Sequence, residues 1–257
     1  MRRGILSCRL MAAQAIETDE SARSSRKVIF QGNDPHMTPS RPDFDAALDH
    51  AFATAHRSET PYRHWFVSGV FPKPVADQLL ALPFPVPDLG GVSGKREVHN
   101  ATRQYFDRDN IAKHSVCAAI AEYLQAPSTI TRFNKACGVD LSGNYLRLEY
   151  AQDTDGFWLE PHTDLGVKKF TMLIYLSDEP GHDKLGTDIY SDVNTHIGCS
   201  PFAKNSAMIF IPADNTWHGF EKRNIPGVRK SLILNYVTPE WRAREQLSYP
   251  DQPVVAG

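Results

Sequence analysis

The chain has few cysteines, no long apolar run and almost no net charge. Its four cysteines, Cys8, Cys117, Cys137 and Cys199, are widely separated across 257 residues with no Cys-x-x-Cys pair. That spacing excludes a disulfide framework and a Cys-based zinc knuckle, and it predicts reduced thiols in a cytoplasmic protein. No stretch of about 18 apolar residues occurs, so no membrane partner is expected. The 28 Lys and Arg residues nearly balance the 30 Asp and Glu, for a formal charge of −2. A polybasic nucleic-acid arm is thereby excluded, and a DNA or RNA partner is not expected. The start, MRRGILSCRLMAAQA, has a basic end, but Arg9 interrupts an apolar stretch already too short for a signal core.

Composition then divides the chain. Residues 1–42 are rich in Ser, Asp, Glu, Arg and Pro and read as a disordered leader. Residues 43–257 read as one domain, with helical support over 43–126 and a β-rich core over about 143–238. In the first part, Phe44, Ala47, Leu48, Ala51, Phe52 and Ala55 recur at helical spacing behind Asp43 as a cap. HWFVSGVF from His64 reads as a strand. VADQLLAL follows Pro74 as a helix, and Ile111 to Leu124 as another. The segment from Phe84 to Asp109, long and broken by Pro and Gly, reads as a functional loop or lid. Within it GGVSGKR has the outline of a phosphate loop, but Leu89 replaces its first Gly and Arg96 its Ser or Thr, so a plain loop is the better reading.

After Gly143 come short runs rich in β-branched and aromatic residues: NYLRLEY, KKFTMLIYLS, GTDIY, NSAMIFIP and RKSLILNYV. Strands of this length and spacing predict a sandwich or barrel, making the whole an α+β fold that is mainly β.

The chemistry concentrates there. His162 and Asp164 have the two-residue spacing that puts side chains on one face of an extended segment, and His218 follows on a later run. With 10 His in the chain, a His-x-Asp tripeptide arises by chance at a rate on the order of one, so it means little alone. Its setting adds weight. Two imidazoles and a carboxylate on one face of an octahedron are the ligand set of non-haem Fe(II) oxygenases, with positions left open for reactants. Arg229 and Ser231 share a strand face beyond His218, and an inward guanidinium calls for an anion. Lys230 is the competing cation, but alternation sets it on the other face with Leu232 and Leu234. His182 with Asp183, and His196 with Cys199, are metal-capable types on polar loops and read as solvated. Trp158 and Trp217 flank the candidate ligands and read equally well as cavity wall or as core.

With these residues in place the sequence resembles the Fe(II)- and 2-oxoglutarate-dependent dioxygenases, in particular their prolyl-hydroxylase-like branch, over roughly Tyr62 to Val237. The pattern is Tyr150 and Gly156, then His162 and Asp164, TMLIYLSDEPG with Tyr175, the turn LGTDIY, His218 and Arg229. It departs at Gly186, Thr187 and Asp188, where the family often has Gly-Gly-Glu. The resemblance implies a double-stranded β-helix, or jelly roll, with N-terminal buttressing helices. It also implies catalytic iron on His162, Asp164 and His218, and 2-oxoglutarate held by Arg229 with support from Ser231, Tyr150 and Tyr175. Fe(II), 2-oxoglutarate and O2 would then oxidise an unactivated carbon of a small-molecule or peptide substrate. The Phe84–Asp109 segment and a loop around Lys168 and Lys169 are where that substrate would be held. A cupin-like isomerase or lyase, or a jelly-roll protein that only binds, are the rival readings.

Overall fold

The computed structural model describes residues 39–88, 94, 103–164 and 166–257. Most of the leader, and nearly all of GGVSGKR, lie outside the described residues.

Five α-helices occur among them: α1 (Arg41–Ala53), α2 (Lys73–Leu80), α3 (Arg108–Lys113), α4 (Ser115–Gln125) and α5 (Pro127–Cys137). Helix α1 starts two residues before the predicted cap. Ser40 is the N-cap, and Asp43 sits at the third position, accepting from the Ser40 backbone N–H and hydroxyl. The helix expected from Ile111 to Leu124 is two helices, because His114 takes an extended conformation between α3 and α4. Helix α5 lies beyond the expected helical part. Its signals are nevertheless plain: Pro127 in the first turn, Ile130, Phe133 and Cys137 buried on one face, and Gly138 closing it at φ 63°.

The strands form two antiparallel sheets. The larger holds seven, in the order β1 (His56–Ser58), β2 (His64–Ser68), β9 (Ser206–Phe210), β6 (Lys168–Tyr175), β11 (Arg229–Val237), β4 (Tyr145–Asp153) and β3 (Gln104–Tyr105). The smaller holds β5 (Leu159–His162), β10 (His218–Phe220), β7 (Asp188–Asp192) and β8 (Thr195–Cys199). Side-chain alternation on the central strands sets the layers. Leu146, Leu148 and Tyr150 of β4, and Leu232, Leu234 and Tyr236 of β11, are buried in one core with Leu48, Leu79, Ile120 and Phe133 of the helices. The opposite face of the same strands carries Glu149, Ala151 and Asp153, and Arg229, Ser231 and Ile233, into a cavity shared with the smaller sheet. Burying one apolar side chain of this kind contributes about 1.5–3 kcal/mol, so the helix-side core fixes the register that aims the polar face inward.

Candidate metal and anion site

The candidate ligands meet. His162 ends β5 and His218 starts β10, where they are register partners with ring centroids 4.4 Å apart. Asp164 follows two residues after His162. One ligand atom from each of His162, Asp164 and His218 lies within 4.8 Å of the others. Each imidazole is held by its own chain: Nδ1–H of His162 donates to the Glu160 carbonyl, and Nδ1–H of His218 to that of Thr216, both at 2.9 Å. A carbonyl can only accept, so each ring carries a proton on Nδ1, which leaves Nε2 as the atom that can ligate. Burial lowers the His218 pKa to about 3, with His162 beside it adding to the effect, which keeps the ring neutral. The Asp164 carboxylate is fixed at both oxygens, Oδ1 accepting from Lys168 Nζ at 2.7 Å and Oδ2 from the Thr171 hydroxyl at 2.8 Å.

Lys168 corrects an expectation. It opens β6 rather than sitting on a substrate-facing loop, and it is 3% exposed. Simple alternation would send it to the helix side with Phe170 and Met172. A register shift at the β11 partners Tyr236 and Val237 turns it into the cavity instead.

Arg229 faces the cavity and is 6% exposed; Ser231 lines the same wall. Lys230 points the other way, its amine donating to the Leu80 carbonyl at the end of α2. The anion that Arg229 demands is partly supplied from within. Its Nη1 donates to Asp153 Oδ2 at 2.6 Å and its Nε to the Leu185 carbonyl at 2.9 Å, while the Phe220 ring lies 4.7 Å from the guanidinium. Asp153 Oδ1 accepts in turn from Arg103 at 2.6 Å. Burial opposes the charge on Arg103, but Asp153 and Glu149 outweigh it and raise the pKa.

Tyr175 lies on the cavity wall, fully buried, with its hydroxyl donating to Thr187 Oγ1 at 2.9 Å and within 2.5 Å of Ser200 Oγ. Tyr150 does not join it. As an even-numbered residue of β4 it points to the helices, where its hydroxyl donates to the Leu79 carbonyl at 2.9 Å. Its expected part in holding a co-substrate is therefore corrected: the neighbours Glu149, Ala151 and Asp153 occupy the cavity side. Neither Trp158 nor Trp217 is among the lining residues. His182 is buried rather than solvated, with Ser177 Oγ at 2.8 Å from Nδ1 and the Pro226 carbonyl at 2.7 Å from Nε2.

The cavity measures about 90 Å³, well under the ~300–1,000 Å³ of pockets that enclose drug-sized ligands. Phe157, Leu159, Leu173 and Phe220 make its apolar part. Its charged lining is Arg103, Lys168 and Arg229 against Glu149, Asp153 and Asp164, which balance. Sequence reading missed Arg103, Glu149, Asp153 and Thr171, and gave Lys168 a substrate-holding part instead of its bond to Asp164. The charged residues at alternate positions of β4, opposite Leu146, Leu148 and Tyr150, were the signal for two of them.

No protein-family model matches the sequence, and no curated protein matches it. Solved structures it is similar to include prolyl 4-hydroxylases and a member of the 2OG-Fe(II) oxygenase family from Burkholderia pseudomallei. A prolyl 4-hydroxylase from Phytophthora capsici is 12% identical with a TM-score of 0.49, over 77% of this chain and 62% of that one. One from Pseudomonas putida is 15% identical at 0.48, over 79% and 97%. HygX from Streptomyces hygroscopicus, with nickel and 2-oxoglutarate bound, is 14% identical at 0.42, over 80% and 90%. At these identities and scores, the functional reading rests on the chain's own residues.

Proposed function

We propose that the chain is an Fe(II)- and 2-oxoglutarate-dependent dioxygenase that oxidises an unactivated carbon of a small molecule or peptide side chain. Residues 43–257 would form its single domain, with the two antiparallel sheets as the jelly roll. One observation carries the reading: His162, Asp164 and His218 present ligand atoms together in a cavity that Arg229 and Ser231 also face.

The donor set fits the metal. Two neutral imidazoles presenting Nε2 and one carboxylate suit Fe(II), and three protein ligands leave positions open. Fe(II) with bound 2-oxoglutarate and O2 would supply the oxidising chemistry, with succinate and carbon dioxide released. The protein's own part is placement. The Nδ1–H bonds to Glu160 and Thr216 hold the imidazoles in the ligating tautomer, and Lys168 and Thr171 hold the carboxylate. Arg229 keeps Nη2 for the distal carboxylate of the co-substrate, with the Ser231 hydroxyl beside it, and the apolar wall of Phe157, Leu159 and Phe220 excludes water. The balanced lining suits a neutral sum of guests: a divalent cation and a dicarboxylate dianion enter without leaving an uncompensated buried charge.

One observation favours a rival. Asp153 already compensates Arg229, as it would in a metal-dependent isomerase or lyase that binds no 2-oxoglutarate. A single experiment separates the two: purified protein with Fe(II), ascorbate and 2-oxoglutarate, assayed for succinate. Succinate release that falls at least tenfold in Arg229→Ala supports the dioxygenase. Absence of succinate, together with no 2-oxoglutarate binding to the metal-loaded protein, overturns it.

A further inference from the structure

We infer that Arg147 is a positioning residue shared by the metal carboxylate and the co-substrate anchor. The inference rests on the dioxygenase reading and deepens it. Arg147 is 1% exposed, on the same face of β4 as Glu149 and Asp153, yet it is not among the residues lining the cavity. Its guanidinium lies 4.9 Å from the ring centroids of Tyr105 and of Trp241, Nη2 donates to the Tyr105 hydroxyl at 3.3 Å, and Nε donates to Gln246 at 3.0 Å. Two ring contacts, the bond at Nε and the bond to Tyr105 hold the planar group, so its two terminal nitrogens are aimed in fixed directions.

Each terminal nitrogen starts an arm. Nη1 donates to Asn235 Oδ1 at 3.1 Å, the Asn235 amide donates to Thr171 Oγ1 at 2.9 Å, and the Thr171 hydroxyl donates to Asp164 Oδ2 at 2.8 Å. All the donors in this arm run one way. Thr171, committed as acceptor to Asn235, has its proton left for Asp164, so the arm fixes which oxygen of the ligand is bonded and how it is turned. On the other side, Nη2 pairs with Glu149 at 2.6 Å, Glu149 lies 3.4 Å from Arg103, and Arg103 and Arg229 share Asp153 at 2.6 Å each. Here charge alternates along Arg147, Glu149, Arg103, Asp153 and Arg229. Removing Arg147 would leave Glu149 to draw Arg103 away from Asp153. Asp153 would then bond Arg229 more exclusively, and Arg229 would compete less well for an incoming carboxylate.

The test titrates Co(II) alone into the protein, then 2-oxoglutarate into the Co(II)-saturated protein, for wild type and variants, with the Co(II) d–d spectrum and a melting curve alongside. Arg147→Met is expected to weaken Co(II) binding about tenfold or more, as loss of a ligand's supporting hydrogen bonds typically does. It should also weaken 2-oxoglutarate at least fivefold and alter the d–d spectrum. Arg147→Lys should not restore either, since one ammonium cannot reach Asn235, Glu149 and Gln246 together. Thr171→Val should weaken Co(II) alone, whereas Glu149→Gln returns Arg103 to Asp153, leaves Arg229 freer and should strengthen 2-oxoglutarate binding alone. An Arg147→Met protein with both affinities within twofold of wild type and an unchanged spectrum overturns the inference, as does loss of only one affinity. Should Arg147→Met not fold, Asn235→Leu and Glu149→Gln cut the two arms beside it; if neither moves its own affinity, the inference fails. A wild type that binds Co(II) but not 2-oxoglutarate, or neither, overturns the dioxygenase reading itself, and does so before any variant is compared.

Discussion

Asp153 and Arg229 are register partners at the ends of β4 and β11, and the carboxylate of one accepts from the guanidinium of the other at 2.6 Å. Both side chains are nearly out of solvent, 1% and 8% exposed. Asp153 also holds Arg103, which Glu149 shares, so this buried carboxylate is the acidic partner of Arg229 and one of two for Arg103. Asp153→Asn should therefore cost about 3–5 kcal/mol of stability, the penalty for leaving buried charge uncompensated. Urea unfolding of the single variant measures it. The Asp153→Asn/Arg229→Gln double variant should recover part of the loss, because the stranded Arg229 charge is gone while Arg103 keeps Glu149.

Tyr150 and Tyr175 should separate cleanly. Tyr150→Phe removes a buried hydroxyl that satisfies a carbonyl near the end of α2, for a stability loss of about 1–2 kcal/mol with no change in 2-oxoglutarate affinity. Tyr175→Phe removes the hydroxyl that joins Thr187 and Ser200 on the cavity wall, and should weaken 2-oxoglutarate binding severalfold. Melting curves and isothermal titration of both variants check the contrast. Equal effects on affinity would show that Tyr150 reaches the cavity after all.

These tyrosines also show what the sequence made legible. Strand alternation was enough to place Arg229 and Ser231 on one face and Lys230 on the other, because β11 runs regularly from Arg229 to Leu234. The same rule, applied to β4, puts Tyr150 with Leu146 and Leu148 on the helix side, and a spacing pattern alone overlooked it. Lys168 breaks alternation through a register shift that no local pattern announces. Asp153 beside Arg229, and Thr171 beside Asp164, depend on which strands become neighbours, a long-range fact absent from any single segment. Helix α5 was legible in its own caps and spacing, whereas the break at His114 depends on one residue's extended backbone.

The thiols carry a pH dependence. Burial pushes Cys117 and Cys137 up to about 12 from an ordinary 9.0, whereas Cys199 is exposed. The fold holds both buried groups as neutral thiols, while the unfolded chain ionises them from about pH 9. Above that pH the unfolded state binds fewer protons, so their contribution to stability is full below 9 and is lost as pH rises toward 12. At pH 8 in native buffer, iodoacetamide followed by peptide mapping should modify Cys199 and leave Cys117 and Cys137 intact until urea is added.

Gly219 offers the most direct test that the ligand geometry depends on strand spacing. It follows His218 on β10, and a Cβ built there would lie 2.8 Å from the Leu159 carbonyl and 3.2 Å from that of Glu160, both on β5. These are backbone atoms and cannot rotate away, so Gly219→Ala must push β5 outward, and His162 is the last residue of β5. Overpacking of this kind costs about 1–3 kcal/mol. The displacement also carries the His162 imidazole away from His218 while leaving every ligand chemically intact. Co(II) affinity should fall about tenfold, with a smaller effect from Gly143→Ala, where the added methyl meets nothing within 4 Å and the cost is its left-handed backbone at φ 82° rather than a displaced strand. Equal Co(II) affinity in Gly219→Ala and wild type would mean that the metal draws its ligands together regardless of strand separation, and the claim of a preformed site would fail.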